Sequence, residues 1–182
     1  MGLKVPIVYN TNAYDSVASL QALDGIVDIY LPDLRYASDT WAAKLSHTSD
    51  YVVRARQTIL EMYRQVGGKL VLDNSGLAQR GLIIRHLILP DGLAGSRDSL
   101  TWLVRHISPK VTISIMSQYC PTHLASWVPE LGRRISGSEY SEVLELVDAL
   151  GLENGWVQEM DAAENYLPHF EREGHPFLAQ KL

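Results

Sequence analysis

Apolar residues gather at Val5, Ile7 and Val8 and give way to the polar run Asn10-Thr11-Asn12, which predicts a short strand. Asp15 or Ser16 then caps a helix carrying Val17, Leu20 and Leu23, and Gly25 stops it. The same unit follows again. Val27, Ile29 and Leu31 lead a second strand into Pro32-Asp33-Leu34-Arg35, and Ser38 caps a helix over Trp41 to Leu45. A longer helix from about Ser49 sets Val52, Ile59, Tyr63 and Val66 on one stripe, closed by Gly67-Gly68.

Two further apolar runs, Leu70 to Leu72 and Leu82 to Leu89, flank Asp73-Asn74-Ser75-Gly76, whose Asn and Gly tolerate positive φ, so a β-ribbon is expected. After Pro90-Asp91-Gly92 and Gly95, Ser96 is expected to cap a helix with Leu100, Leu103, Val104 and Ile107 on one face, ending before Pro109. Val111, Ile113 and Ile115 make another strand, and Ser138 opens a helix bearing Tyr140, Val143, Leu144, Val147 and Leu150 that stops at Gly151. Trp156-Val157-Gln158 reads as a short last strand, and the stretch after Asp161 has no period. Strands alternating with helices define an α/β protein with a parallel sheet, wound either as a barrel segment or as an open doubly wound sheet. One domain over residues 1–160 with an irregular tail over 161–182 is the expected organisation.

In either winding, reactive groups belong at the carboxyl ends of the strands. Asn10 to Asn12, Asp33 to Arg35, the stretch after Arg85, and Ser117 to Tyr119 are therefore expected to converge. Asp33 and Arg35 stand two residues apart, so both side chains point to one face of the strand, that of Val27, Ile29 and Leu31. Such a pair holds an amino acid or forms a strand-end ion pair in solvent, and the residues alone favour the ion pair. Arg85 and His86 lie inside an apolar strand and face opposite sides. The plain expectation is that Arg85 pairs with a carboxylate and His86 packs under a helix.

The loop Pro90 to Gly95 before a helix suits a phosphate, although such a loop is also an ordinary α/β connection. Cys120 and His123 have a metal-like spacing, yet no second pair of ligands lies near them. Cys120 is the single cysteine, so the chain can form no internal disulfide and no cysteine cluster site. Net charge is -5 with Lys and Arg scattered, which argues against nucleic acid as a partner. Apolar runs are too short to cross a bilayer, and a cytoplasmic setting with no membrane partner is expected. His169 and His175 read as surface residues.

Val8-Tyr9-Asn10-Thr11-Asn12, Ile29-Tyr30-Leu31-Pro32-Asp33-Leu34-Arg35, Arg80-Gly81-Leu82-Ile83-Ile84-Arg85-His86-Leu87, Met116-Ser117-Gln118-Tyr119 and Glu153-Asn154-Gly155-Trp156-Val157-Gln158 occur in a characteristic order. Together they resemble the later strands of radical S-adenosylmethionine enzymes, in the branch similar to pyruvate formate-lyase activating enzyme. The resemblance implies the C-terminal portion of a partial (β/α)6 TIM-like barrel. In such enzymes a three-cysteine motif holds a 4Fe-4S cluster and a Gly-Gly-Glu motif positions the methionyl amine, and neither occurs in these residues.

The resemblance further implies cofactor binding by Asp33, Arg35, Arg85, Gln118 and Tyr119. A monovalent cation would be held by Asn10, Thr11, the Leu31 carbonyl and Asp33. Asn10 stands where the family carries Asp; a carboxylate about 4 Å from a cation contributes about 4 kcal/mol at an effective dielectric of 20 and an amide supplies only a dipole, so cation affinity is expected to be weaker or lost. Arg35 stands in the place of a Lys, and Tyr119 where some relatives carry His. The complete enzyme is expected to cleave S-adenosylmethionine reductively to methionine and a 5′-deoxyadenosyl radical that takes hydrogen from a glycine of a protein substrate. The present chain, lacking the N-terminal half as a partner, is expected to be inactive alone. The alternative is a non-catalytic scaffold or partner domain that completes a barrel with a separate chain, using the unpaired edge of its first strand.

Overall fold

A computed structural model describes residues 5–160. The tail expected over 161–182, with His169 and His175, lies outside the described residues. In chain order the elements are β1 (Val8–Thr11), α1 (Val17–Ala22), β2 (Ile29–Pro32), α2 (Asp39–Ser46), α3 (Tyr51–Val66), β3 (Val71–Leu72), β4 (Ala78–Leu87), α4 (Ser96–His106), β5 (Thr112–Met116), α5 (Gly137–Ala149) and β6 (Gly155–Val157). Short 3-10 turns occupy Pro90–Gly92 and His123–Trp127.

The sheet runs β1-β2-β4-β5-β6, all parallel, and β3 folds back antiparallel onto the start of β4. The chain is therefore an α/β protein with a parallel sheet, as its alternating periodicities predict. The β3–β4 ribbon forms at Asp73-Asn74-Ser75-Gly76, where Gly76 takes φ +78° and Asp73 Oδ1 accepts from the Ser75 and Leu77 amides.

Pleating sorts the strand residues onto two faces. One face carries Tyr30, Leu82, Ile84, His86, Ile113 and Ile115, all essentially removed from water, in one core with Leu20, Ala55, Ile59, Met62, Leu100, Leu103, Val143 and Val147 from the helices. Each full-size aliphatic side chain buried there stabilises the fold by about 1.5–3 kcal/mol. On the other face Ile29, Thr112 and Met116 are buried, but Leu31, Ile83, Leu87 and Ser114 are only partly covered and Val8 and Trp156 are about half exposed. Parallel sheets ordinarily have both faces covered. The described residues cover one of them fully.

Helix starts depart from expectation in two places. Gly95, in the left-handed region at φ +65°, is the N-cap of α4, and Ser96 is its first helical residue, because the Ser96 hydroxyl is used by His86. Ser136, not Ser138, caps α5: its hydroxyl accepts from the Glu139 amide and Glu139 returns the bond to the Ser136 amide, a complete capping box. The first strand also begins later than Val5, and Asn10-Thr11 belongs to it rather than to a loop.

Candidate functional site

The ends of β1, β2 and β4 are stitched together by backbone bonds that extend the pairing past Pro32. The Asp33 amide donates to Thr11 O at 2.9 Å and the Leu34 amide to Arg85 O at 2.8 Å. Tyr51, on the first turn of α3, locks this junction from the helix side. Its hydroxyl lies 2.7 Å from Asp33 O and 3.1 Å from Asn12 O, and accepts from the Arg35 amide at 2.9 Å. Burial raises the Tyr51 phenol well above its ordinary range, so it keeps its proton and donates to these carbonyls. The expected helix stripe omitted Tyr51; its i, i+4 and i+8 relation to Ala55 and Ile59 is the signal that would have found it.

On the opposite side of the junction, the pleat turns Asp33 and Arg85 toward each other. Arg85 Nε donates to Asp33 Oδ1 at 2.6 Å, Arg35 Nη2 donates to Asp33 Oδ2 at 2.7 Å, and Arg85 Nη2 reaches Asn10 Oδ1 at 2.7 Å. The Asp33 side chain is 9% exposed, Arg85 28% and Arg35 45%. This is the ion pair that the residues alone favoured, but its carboxylate is buried rather than in solvent. Asp33, Arg35 and Arg85 line a cavity of about 280 Å³ with Leu87, Met116 and Gln118. Two guanidiniums against one carboxylate leave its wall with one net positive charge, which suits a small anionic group.

Gln118 is held in this wall by Gln158, which follows β6: Gln158 Nε2 donates to Gln118 Oε1 at 3.1 Å, and Gln158 Oε1 accepts from the Ser117 amide at 3.2 Å. Tyr119 does not join them. Its hydroxyl donates to Leu131 O at 2.8 Å, and it lines a separate, mostly apolar pocket of about 140 Å³ with Tyr36, Leu45, Leu87, Leu89, Leu131 and Arg35. Gln118 and Tyr119, beyond the end of β5, thus line two different pockets that share Arg35 and Leu87.

The four cation candidates are not brought together as free ligands. Asn10 Oδ1 is taken by Arg85, both Asp33 oxygens are taken by arginines, and the Thr11 hydroxyl donates to Asp15 Oδ2 at 2.5 Å. Leu31 pairs with Asn10 across β1 and β2. Thr11 turns away because it alternates with Asn10 along the strand, and Asp15, which also accepts from the Tyr9 hydroxyl at 2.9 Å, claims it.

His86 packs under the helices, as expected, and is 1% exposed. Its Nδ1 lies 2.8 Å from Leu34 O, an acceptor only, so Nδ1 carries the hydrogen and Nε2, 2.9 Å away, accepts from the Ser96 hydroxyl. Burial, opposed by the Leu34 carbonyl, lowers its pKa below the ordinary value of 6.5. The unfolded chain then binds a proton more readily than the folded one. The His86 contribution is intact above that ordinary pKa and is lost as pH falls below it, by up to about 1.4 kcal/mol per pH unit. Thermal midpoints between mildly alkaline and mildly acidic buffers should show this fall, and His86→Gln should flatten it; an identical slope in the variant would contradict the assignment.

The Pro90 to Gly95 loop does not present a phosphate cradle. The Asp91 amide donates to Glu139 Oε1 at 2.7 Å, and Arg133 is held between Asp91 and Glu139 at 2.7 and 2.8 Å. The adjoining cavity of about 230 Å³ is lined by Glu139 and Glu142 beside Arg97, a charge balance unsuited to an anion. Cys120 and His123 gain no further ligands, since no group of three or more His, Cys, Asp or Glu able to hold a metal occurs among the described residues. No helix among the described residues is long and apolar enough to cross a membrane.

Comparison with known proteins adds one distant relative, the uncharacterized protein MJ0674 of Methanocaldococcus jannaschii, 26% identical over 149 residues. The match takes in 82% of this chain but 40% of the relative, so the chain spans less than half of that protein's length. No family model and no solved structure matches.

Proposed function

We propose that this chain is the C-terminal portion of a radical S-adenosylmethionine activating enzyme, and that the Asp33–Arg35–Arg85–Gln118 cavity is part of its cofactor pocket. The carrying observation is the placement of that cavity: a pocket of net positive charge at the carboxyl ends of β2, β4 and β5, on the sheet face that the described residues leave partly open.

Chain order and strand order coincide across the parallel strands, whereas a doubly wound sheet reverses at a switch point. Right-handed crossovers repeated in one direction put helices on one side of a sheet, and this order supports reading the sheet as a barrel segment with its open face turned inward. Among the described residues β1 pairs only with β2, and Ile7 and Val8 beside its other edge are exposed, which supports further strands adding there.

Arg35 and Arg85 fit a carboxylate, such as that of the methionyl group, and Gln118 adds a polar side chain to the same wall. S-adenosylmethionine, when bound and reduced, supplies the 5′-deoxyadenosyl radical for hydrogen abstraction from a protein glycine. Within this chain the two arginines orient the carboxylate end, and each is itself held by Asp33. Cluster ligands do not fit here, since Cys120 is the single cysteine; in the proposed enzyme they belong to preceding polypeptide.

The test is the reading frame upstream of Met1. It should continue through a three-cysteine motif and a Gly-Gly-Glu motif; unrelated in-frame sequence would contradict the proposal. The exposed edge of β1 also supports a second reading, a scaffold domain completing a barrel with a separately encoded chain, and a stop codon close upstream of Met1 would favour it.

A further inference from the structure

We infer that the Arg85 guanidinium is a built-in cation at this pocket, standing where a monovalent metal ion would otherwise bridge Asn10 and Asp33, so that ligand binding here needs neither Na⁺ nor K⁺. The inference rests on the proposed function for the identity of the ligand and for the ion that the family pattern implies.

One planar group spans the two strand tips: Arg85 Nη2 is 2.7 Å from Asn10 Oδ1 and Arg85 Nε is 2.6 Å from Asp33 Oδ1. The second Asp33 oxygen is held by Arg35 Nη2 at 2.7 Å. A metal ion between Asn10 and Asp33 would have to displace this bridge and then sit beside two guanidiniums with a single carboxylate to offset three positive charges. Asn10 contributes a neutral amide oxygen, and the Thr11 hydroxyl is committed to Asp15. The residues thus do not fit the ion that the family pattern implies.

The choice of side chains is self-consistent. A carboxylate at position 10 would have called for a cation to separate it from Asp33, whereas an amide accepts a hydrogen bond from arginine and leaves the site one negative charge poorer. Arginine stays protonated at every physiological pH and is tethered to β4, so the pocket keeps its charge without capturing an ion from solution. The charge that Asp33 does not neutralise remains for an anionic ligand.

Thermal melts at fixed ionic strength in NaCl, KCl and N-methyl-D-glucamine chloride test this. The wild-type midpoint should agree in all three salts to within about 1 °C, well below the 2–4 °C that 1 kcal/mol of bound-ion stabilisation gives in a chain of this size. The double variant Asn10→Asp, Arg85→Met should gain a saturable rise with Na⁺ or K⁺, and its failure to do so while folded would overturn the inference. Sodium-23 relaxation on the wild-type chain decides the matter if that variant does not fold: specific broadening abolished by Asp33→Asn would overturn the inference, and its absence supports it. S-adenosylmethionine or methionine titrated in each salt separates the two proposals. Binding that requires K⁺ would overturn the built-in cation and leave the cofactor pocket standing; no binding by the protein carrying its upstream motifs, in any salt, would count against the pocket alone.

Discussion

Replacing Gly155 with alanine is expected to detach β6 from the sheet and to lower stability by about 4 kcal/mol or more. Gly155 sits at φ +135°, and a Cβ there would lie 1.8 Å from Ile113 O and 2.8 Å from both Ile113 C and Ile113 N. All three are backbone atoms of the β5 residue with which Gly155 pairs, so no side-chain rotation relieves the overlap. At about 2–4 °C per kcal/mol the midpoint should drop by roughly 8–16 °C. Gly151 is the control: it also has positive φ, but a Cβ there meets nothing within 4 Å, so Gly151→Ala should cost only about 1 kcal/mol. Circular dichroism melts of both variants check this, and a Gly155→Ala midpoint close to the wild type would contradict the β5–β6 register. The consequence reaches the site, because displacing β6 removes Gln158 from Ser117 and Gln118.

The second large effect is expected at Asp33. Asp33→Asn keeps the shape but leaves Arg35 and Arg85 facing each other with no counter-charge, across a group that is 9% exposed. Removing one partner of a fully buried pair costs about 3–5 kcal/mol. Both guanidiniums here can turn partly into water, so about 2–3 kcal/mol is the appropriate expectation. Arg85→Met alone should cost less, because Arg35 still pairs with Asp33, and the Asp33→Asn, Arg85→Met double variant should be more stable than the sum of the single changes predicts. Strict additivity in that cycle, measured by urea denaturation, would mean that the close Arg85–Asp33 contact carries no energy.

Much of this arrangement was readable from the chain because it depends on local periodicity. Period-two alternation places Asp33 on the face of Ile29 and Leu31 and sends Arg85 and His86 to opposite sides, and the structure has both. Punctuation by Asn and Gly gave the ribbon at Asp73 to Gly76. The misses are long-range. Whether Ser96 caps a helix depends on His86 ten residues away claiming its hydroxyl, and Thr11 fails as a ligand because Asp15 is within reach on the other face. Tyr51 and Gln158 come to the site from α3 and from beyond β6, and no local pattern announces their partners. Ser136 is a different kind of miss, since the sequence Ser136-Gly137-Ser138-Glu139 carries the capping-box spacing openly.

Formation of 5′-deoxyadenosine by the protein expressed from the upstream-extended frame is the most direct measurement. Purified without oxygen, reconstituted with iron and sulfide, and given S-adenosylmethionine with a strong reductant, it should release 5′-deoxyadenosine, and Arg85→Met should lower the yield at low cofactor concentration by about tenfold, the loss of one charge-assisted contact. An extended protein that carries the three-cysteine motif yet forms no 5′-deoxyadenosine, or an Arg85→Met variant with an unchanged cofactor dependence, would contradict the account.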